Sequence, residues 1–315
     1  MRNVINQTTI IGRVYDHELN LKVSGSASKN PGTEFINGTI SVVTDEAGTN
    51  VVPVHFSYVT ATTKNGAPNG TFTALKAVFD GKVKTVMNSS LQEAATIKID
   101  SAIGLNEFYT DRNGKEELVS AKRNEGGFVR LNEVLPEDDT KRALFKCDMV
   151  ITNVIHVEAD EEKGTPEKAT LRGVIFDFKK AILPVEFTAY HPAAINYFVD
   201  ADISNAKPMF TQVWGNQISK TVVKKITEES AFGEAYVKEV TNTTKDFVIT
   251  GAKVEPWEWD VEGSITAMEL KEAISNREVY LADVKKRADE YKASKATASA
   301  TPAMAVNTTS TEFNF

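Results

Sequence analysis

The sequence predicts a mainly β protein: two related β modules in tandem, then an amphipathic helix, then a flexible tail. Three observations carry this. Most of the first 255 residues alternate apolar and polar side chains between turn signals, the period of half-buried strands. One stretch of that pattern recurs in the second half of the chain, as a duplicated module would make it. Beyond residue 263 the apolar spacing lengthens from two to three or four, the period of a helix.

Taken in order, Thr8–Tyr15 is β-rich with a central Gly12, the mark of a bulge or sharp bend. Phe35–Val43 alternates cleanly, Asp45–Asn50 supplies turn chemistry, and Val51–Val59 returns as the second arm of a hairpin. After Asn69-Gly70, residues Thr73–Asp80 form a short helix closed by Gly81. Ala95–Ile103 and Phe145–Glu158 read as further strands.

The internal repeat pairs Gly38-Thr39-Ile40 and Val52-Pro53-Val54-His55-Phe56-Ser57-Tyr58 with Gly173-Val174-Ile175 and Leu183-Pro184-Val185-Glu186-Phe187-Thr188-Ala189-Tyr190. Glycine leads by 15 residues to Pro53 and by 11 to Pro184, a deletion of the kind a hairpin turn tolerates. A second echo sets Asp148–Asn153 against Asp246–Gly251. Residues 145–158 therefore resemble a closing strand, yet they stand where a second module needs its opening one. With the border placed in the acidic segment Ala159–Lys168, the modules run over 1–158 and 159–263. The helix occupies 264–293, starting from a Thr266/Glu269 capping box with a stripe of Leu270, Ile274, Leu281, Val284 and Tyr291 interrupted by Arg277. The tail, 294–315, is rich in Ala, Thr and Ser.

Composition narrows the function. No run approaches about 18 apolar residues, so no membrane-spanning helix is expected, and the N-terminus lacks a secretory h-region. Cys147 stands alone, which suits a reducing cytoplasm. His17, His55, His156 and His191 are not at metal-ligand spacing, and no nucleophile elbow, phosphate loop or dinucleotide fingerprint occurs. Neither an enzyme nor a cofactor nor a metal is expected. The net charge of −7 argues against a polyanion ligand, but residues 203–225 carry Lys207, Lys220, Lys224 and Lys225 without an acid.

Aromatic residues beside lysines are what a binder of single-stranded nucleic acid needs, because bases stack on rings while cations follow the phosphates. In the first module the candidates are Phe56, Tyr58 and Phe72 with Lys64, Lys98, Lys122 and Arg123. In the second they are Tyr190, Tyr197 and Trp214 with Lys220, Lys224 and Lys225. Each of these rings is also a plausible core residue.

The order of a Gly-bearing first strand, a hairpin, a short helix before the fourth strand and a late fifth strand resembles the OB-fold, a five-stranded Greek-key barrel that often holds oligonucleotides. The C-terminal Glu312-Phe313-Asn314-Phe315 is similar to the acidic-aromatic tip of bacterial and phage single-stranded-DNA-binding proteins, with one carboxylate side chain where that family has several. The resemblance is to a phage-type member with tandem OB-folds. It implies a non-catalytic role in replication or recombination and protein partners docked through Glu312, Phe313 and Phe315. A self-assembling virion component is the competing expectation.

Overall fold

The computed structural model describes residues 4–112, 114–160, 165–228, 236–262 and 264–299, and of residues 221–243 and 295–299 the backbone only. Alternation works as expected in Asn6–Val23 (β1), where Thr8, Ile10, Gly12 and Val14 are buried between partly exposed neighbours. It is followed by Glu34–Val43 (β2), Val51–Thr60 (β3), the helix Gly70–Phe79 (α1), Thr96–Arg112 (β4) and Lys115–Leu131 (β5). β1 pairs with both β2 and β4, and β3 meets β5 in parallel through Val54↔Asn124 and His55↔Glu125, which closes a five-stranded ring. Ala143–Val157 (β6), Lys168–Phe176 (β7), Ile182–Ala189 (β8), the helix Pro192–Val199 (α2), Met209–Glu228 (β9) and Tyr236–Ala252 (β10) follow. They repeat the ring, with β8 closing on β10 in parallel at Thr188↔Val248. The two rings are OB-like barrels in tandem.

Each barrel closes on its own core. Ile10, Ile40, Val54, Phe56, Ile97 and Ile99 fill the first, and Leu75 and Val78 of α1 plug one end. Phe145, Met149, Phe187, Val213 and Ile249 fill the second, with Ile195 and Phe198 of α2 in the equivalent place. Each fully buried side chain of this size contributes about 1.5–3 kcal/mol relative to exposure. The repeat read from the sequence is structural: Gly38 faces Leu19 of β1 and Gly173 faces Ile151 of β6, and at both a β-carbon would collide with the first strand's backbone. Those two glycines allow the second strand to cross tightly over the first.

The second echo is not a repeat. Asp148–Asn153 belongs to β6, which opens the second barrel, whereas Asp246–Gly251 belongs to β10, which closes it. The closing strand of the first barrel is β5, which the sequence pattern does not show. Strand pairing therefore groups residues 143–157 with the second ring, and the border expected near 158 moves back to the connection before Ala143.

The barrels are fused through β1 and β6, antiparallel from Asn6↔Cys147 to Ile10↔Ala143. A buried polar seam adds to this. Asn124 Nδ2 donates to Gln217 Oε1 (2.8 Å), and Asn50 Nδ2 donates to the Gln217 carbonyl (3.2 Å). The third helix, Ala267–Ser299 (α3), starts from the expected capping box, with Thr266 N donating to Glu269 Oε2 (3.0 Å) and Glu269 N to Thr266 Oγ1 (3.1 Å). Its first turns pack with Val150, Phe210, Ile265 and Trp257 in a third cluster on the second barrel. The helix runs on to Ser299, past the end expected at 293, so residues 294–299 of the expected tail are helical. Glu312, Phe313 and Phe315 lie outside the described residues.

Candidate nucleic-acid interface

A groove of about 1020 Å³ lies between the first barrel, the β7–β8 turn of the second barrel and α3. Four exposed aromatic rings border it: Tyr58, Phe128, Phe178 and Tyr280. Each is presented by local chemistry. Tyr58 stands near the end of β3, its ring 4.5 Å from that of Phe35 and its hydroxyl 3.0 Å from Ser24 Oγ. Phe128 is 75% exposed because Gly126 and Gly127 make a bulge in β5 opposite Asp100–Ala102. Both glycines have positive φ (63° and 109°), and a β-carbon on Gly127 would strike the Asp100 carbonyl, so the bulge needs glycine there. Thr71 of α1 clips it, accepting from Val129 N (3.3 Å).

Phe178 is 91% exposed at the tip of the β7–β8 turn. Asp177 builds that tip by accepting from Lys179 N and Ala181 N, each at 2.8 Å, an Asx-type turn. Lys179 lies over the Phe178 ring at 5.4 Å and lines the groove. Tyr280 comes from α3, with the Arg277 guanidinium 5.4 Å from its ring centre. Arg277 in turn grips Glu107 of β4 with both terminal nitrogens, one at 2.7 Å from Oε2. Charges in the wall are thus mostly self-compensated: Glu107 by Arg277, Glu125 by Arg123. Lys179 is the wall's remaining cation, with Lys64 exposed on the adjoining 61–68 loop.

Of the residues picked from sequence, only Tyr58 lines this groove. Phe56 and Phe72 are corrected: both lie in the first core, where inward strand alternation and the helix face leave no room for a base. Lys122 is also corrected. Its ammonium sits between the barrels over Phe187 and Phe247, donates to the Glu186 carbonyl, and is not offered to a phosphate. Lys98 pairs with Asp100 at 3.8 Å on the outer face of β4, and Lys220 with Asp45 at 3.9 Å. Tyr190 donates to Asp246 Oδ2 (3.2 Å); burial, then that carboxylate, raises its pKa. Tyr197 donates to the Lys253 carbonyl (3.2 Å). Trp214 is exposed on β9 with its indole over Gly251. The side chains of Lys224 and Lys225 lie outside the described ones.

Phe128, Phe178, Lys179 and Tyr280 were missed. A signal existed for two of them: Gly126-Gly127 before Phe128 inside a strand, and Asp177 before Phe178 in a tight turn. Among the described residues no group of three or more His, Cys, Asp or Glu is placed to hold a metal ion. Cys147 is buried, and burial pushes its thiol far above the ordinary range, so it is an inert core residue.

The YorF family profile matches residues 5–306, spanning both barrels and α3. The chain belongs to the YorF family. No curated protein matches this YorF member in sequence. Among solved structures, the wild-type single-stranded DNA binding protein of Thermus aquaticus is similar at 11% identity and a TM-score of 0.42, over 80% of this chain and 93% of that one. A deletion mutant of that Thermus protein is similar at 11% identity and a TM-score of 0.44, over 83% and 98%. The barrel assignment of the YorF chain rests on its own strand order.

Proposed function

We propose that this YorF member is a non-catalytic, cytoplasmic binder of single-stranded DNA serving replication or recombination. The strand runs through the inter-barrel groove and stacks bases on Tyr58, Phe128, Phe178 and Tyr280. The observation that carries this is the convergence of four exposed rings, from four separate elements, on one groove. Large rings held out of the core by a glycine bulge and an Asx turn suit contact with another planar group. A duplex hides its base faces, so the groove selects single strands.

The acidic net charge of −7 then has a consequence. With Lys179 and Lys64 as the available cations, stacking supplies most of the affinity. The log–log salt slope is expected to be shallow, between about −1 and −3, since each neutralised phosphate of a single strand contributes about −0.7. Fluorescence anisotropy with a labelled oligo-dT, a duplex control and a salt series tests this. Phe178→Ala and Phe128→Ala are each expected to weaken binding by about 1–3 kcal/mol, roughly five- to 150-fold, without changing the circular dichroism spectrum. Equal affinity for duplex, or unaltered affinity in both variants, overturns the groove reading.

A further inference from the structure

We infer that the outward face of the sheet joining the two barrels is a second contact surface for single-stranded DNA, taking the strand as it leaves the groove. This rests on the groove reading and extends it from a pocket to a path. Because β1 pairs with both β4 and β6, the strands β5, β4, β1, β6 and β9 form one continuous surface across the barrel border. Alternation turns Ile99, Thr8, Phe145 and Val213 inward to the cores. The same alternation turns Lys98, Asp100, Gln7, Lys146 and Trp214 outward. Register aligns them: Phe128 lies opposite Asp100, Asp100 opposite Thr9, Thr9 opposite Leu144. In the neighbouring row Gln7 lies opposite Lys146, and Lys146 opposite Trp214.

Phe128 and Trp214 thus mark the two ends of a surface four strand spacings across, about 19 Å. Leu144 is exposed between them. The face continues the groove, since Ala102 and Phe128 belong to both. Its charge suits a polyanion better than that of the molecule as a whole: Lys98 and Arg130 pair with Asp100 and Glu133, and Lys146 adds a further exposed cation. Asp100 is held by Arg130 at 2.6 Å, Lys98 at 3.8 Å and the Thr9 hydroxyl at 3.0 Å. Lys146, exposed and with no carboxylate partner among the described residues, stands opposite Trp214 in the β6–β9 ladder. Apolar groups separated by cations and small polar side chains match the alternation of bases and phosphates. A protein partner instead requires a contiguous apolar centre.

The experiment compares oligo-dT of about ten nucleotides, within the reach of a single barrel site, with oligo-dT of about forty. Wild-type protein binds the long strand more tightly, and Phe178→Ala weakens both. In Lys146→Glu and Trp214→Ala the gain from short to long is expected to shrink by about tenfold. Lys146→Glu changes an exposed side chain and keeps the test valid if Trp214→Ala loosens the strand at Gly251. If both variants retain the full length-dependent gain while Phe178→Ala still weakens binding, the outer face is overturned and the groove stands. If wild-type protein binds neither strand, both readings fall.

Discussion

Lys122 shows how one side chain serves the joint between barrels. It extends from β5 over the rings of Phe187 and Phe247, at 5.4 and 5.2 Å, inside the second barrel's wall. Burial lowers its pKa from the ordinary 10.5, and Asp246 and Glu186 oppose that without reversing it. A net lowering means that the charge is less favoured here than in the unfolded chain. The four-carbon stem, packed on two rings, is then the stabilising part. Lys122→Met is expected to be neutral or stabilising by about 0–2 kcal/mol at neutral pH, as when buried charges give way to apolar groups of similar shape. Lys122→Ala removes the stem and is expected to cost about 1–3 kcal/mol. The sign with pH follows from linkage: below the depressed folded pKa the penalty is fully present, and it fades as pH rises through that pKa toward 10.5. The advantage of Lys122→Met over wild type therefore shrinks at alkaline pH. Urea midpoints at two pH values check it, and a Met variant as damaged as the Ala variant would show that the charge itself stabilises.

Among elements, α3 separates what the sequence displays from what it conceals. The Thr266/Glu269 box and the three-to-four spacing mark its start and type, and both appear in the structure. Its inner stripe matches the one read from hydrophobicity only in part: Val284 is buried and Leu270 packs on the barrel as expected, but Ala273 is buried too, while Ile274 and Tyr291 are exposed. Arg277, which breaks the apolar pattern, is the residue that fastens the helix, because its partner Glu107 is 170 residues away and invisible to local pattern. β5 was illegible for a related reason. Its first half, Lys115-Glu116-Glu117, carries charge because it meets α3, where Lys285 and Lys292 pair with Glu116, and its second half is broken by Gly126-Gly127. The barrel strands β1 to β3 and their repeat were legible because a closed core forces strict alternation. The groove was not, since its rings come from a bulge, a turn and a helix that meet only in the fold.

Glu107 has 1% of its side chain exposed, so Arg277→Ala leaves a buried carboxylate that still accepts from the Ser120 hydroxyl at 2.9 Å. The cost is expected to be about 3–5 kcal/mol, taken locally by release of α3 rather than by global unfolding. Hydrogen exchange along 270–290 should rise sharply, and oligo-dT affinity should drop as Tyr280 leaves the groove. Pairing Arg277→Met with Glu107→Leu should restore most of the protection. Unchanged exchange in Arg277→Ala would mean that the helix is held by its apolar stripe alone.

At the scale of the whole molecule, a groove shared by two barrels keeps its shape only if they behave as one body. The ties that join them include the β1–β6 ladder, the Asn50–Asn124–Gln217 seam, the Lys220–Asp45 pair and Lys122. In the seam Ser219 N also donates to Asn50 Oδ1 at 2.6 Å, and breaking such a buried amide network costs about 1–3 kcal/mol for each group left unpaired. The chain supplies its own reporter for this coupling. All three tryptophans, Trp214, Trp257 and Trp259, lie beyond β6, so their fluorescence follows the second barrel, while far-ultraviolet dichroism follows both. Leu75→Ala opens a cavity under α1 in the first core, at a side chain with no exposure, for a cost of about 2–5 kcal/mol. If the barrels unfold as one, the tryptophan midpoint in urea falls by that free energy divided by the m-value, although the mutation lies in the other barrel. Fluorescence and dichroism then remain coincident, as two-state behaviour requires. If the tryptophan curve stays where it was while dichroism splits into two steps, the barrels are independent. The groove would then be a hinge whose width varies, and stacking on Phe178 and Phe128 at once would require DNA to close it.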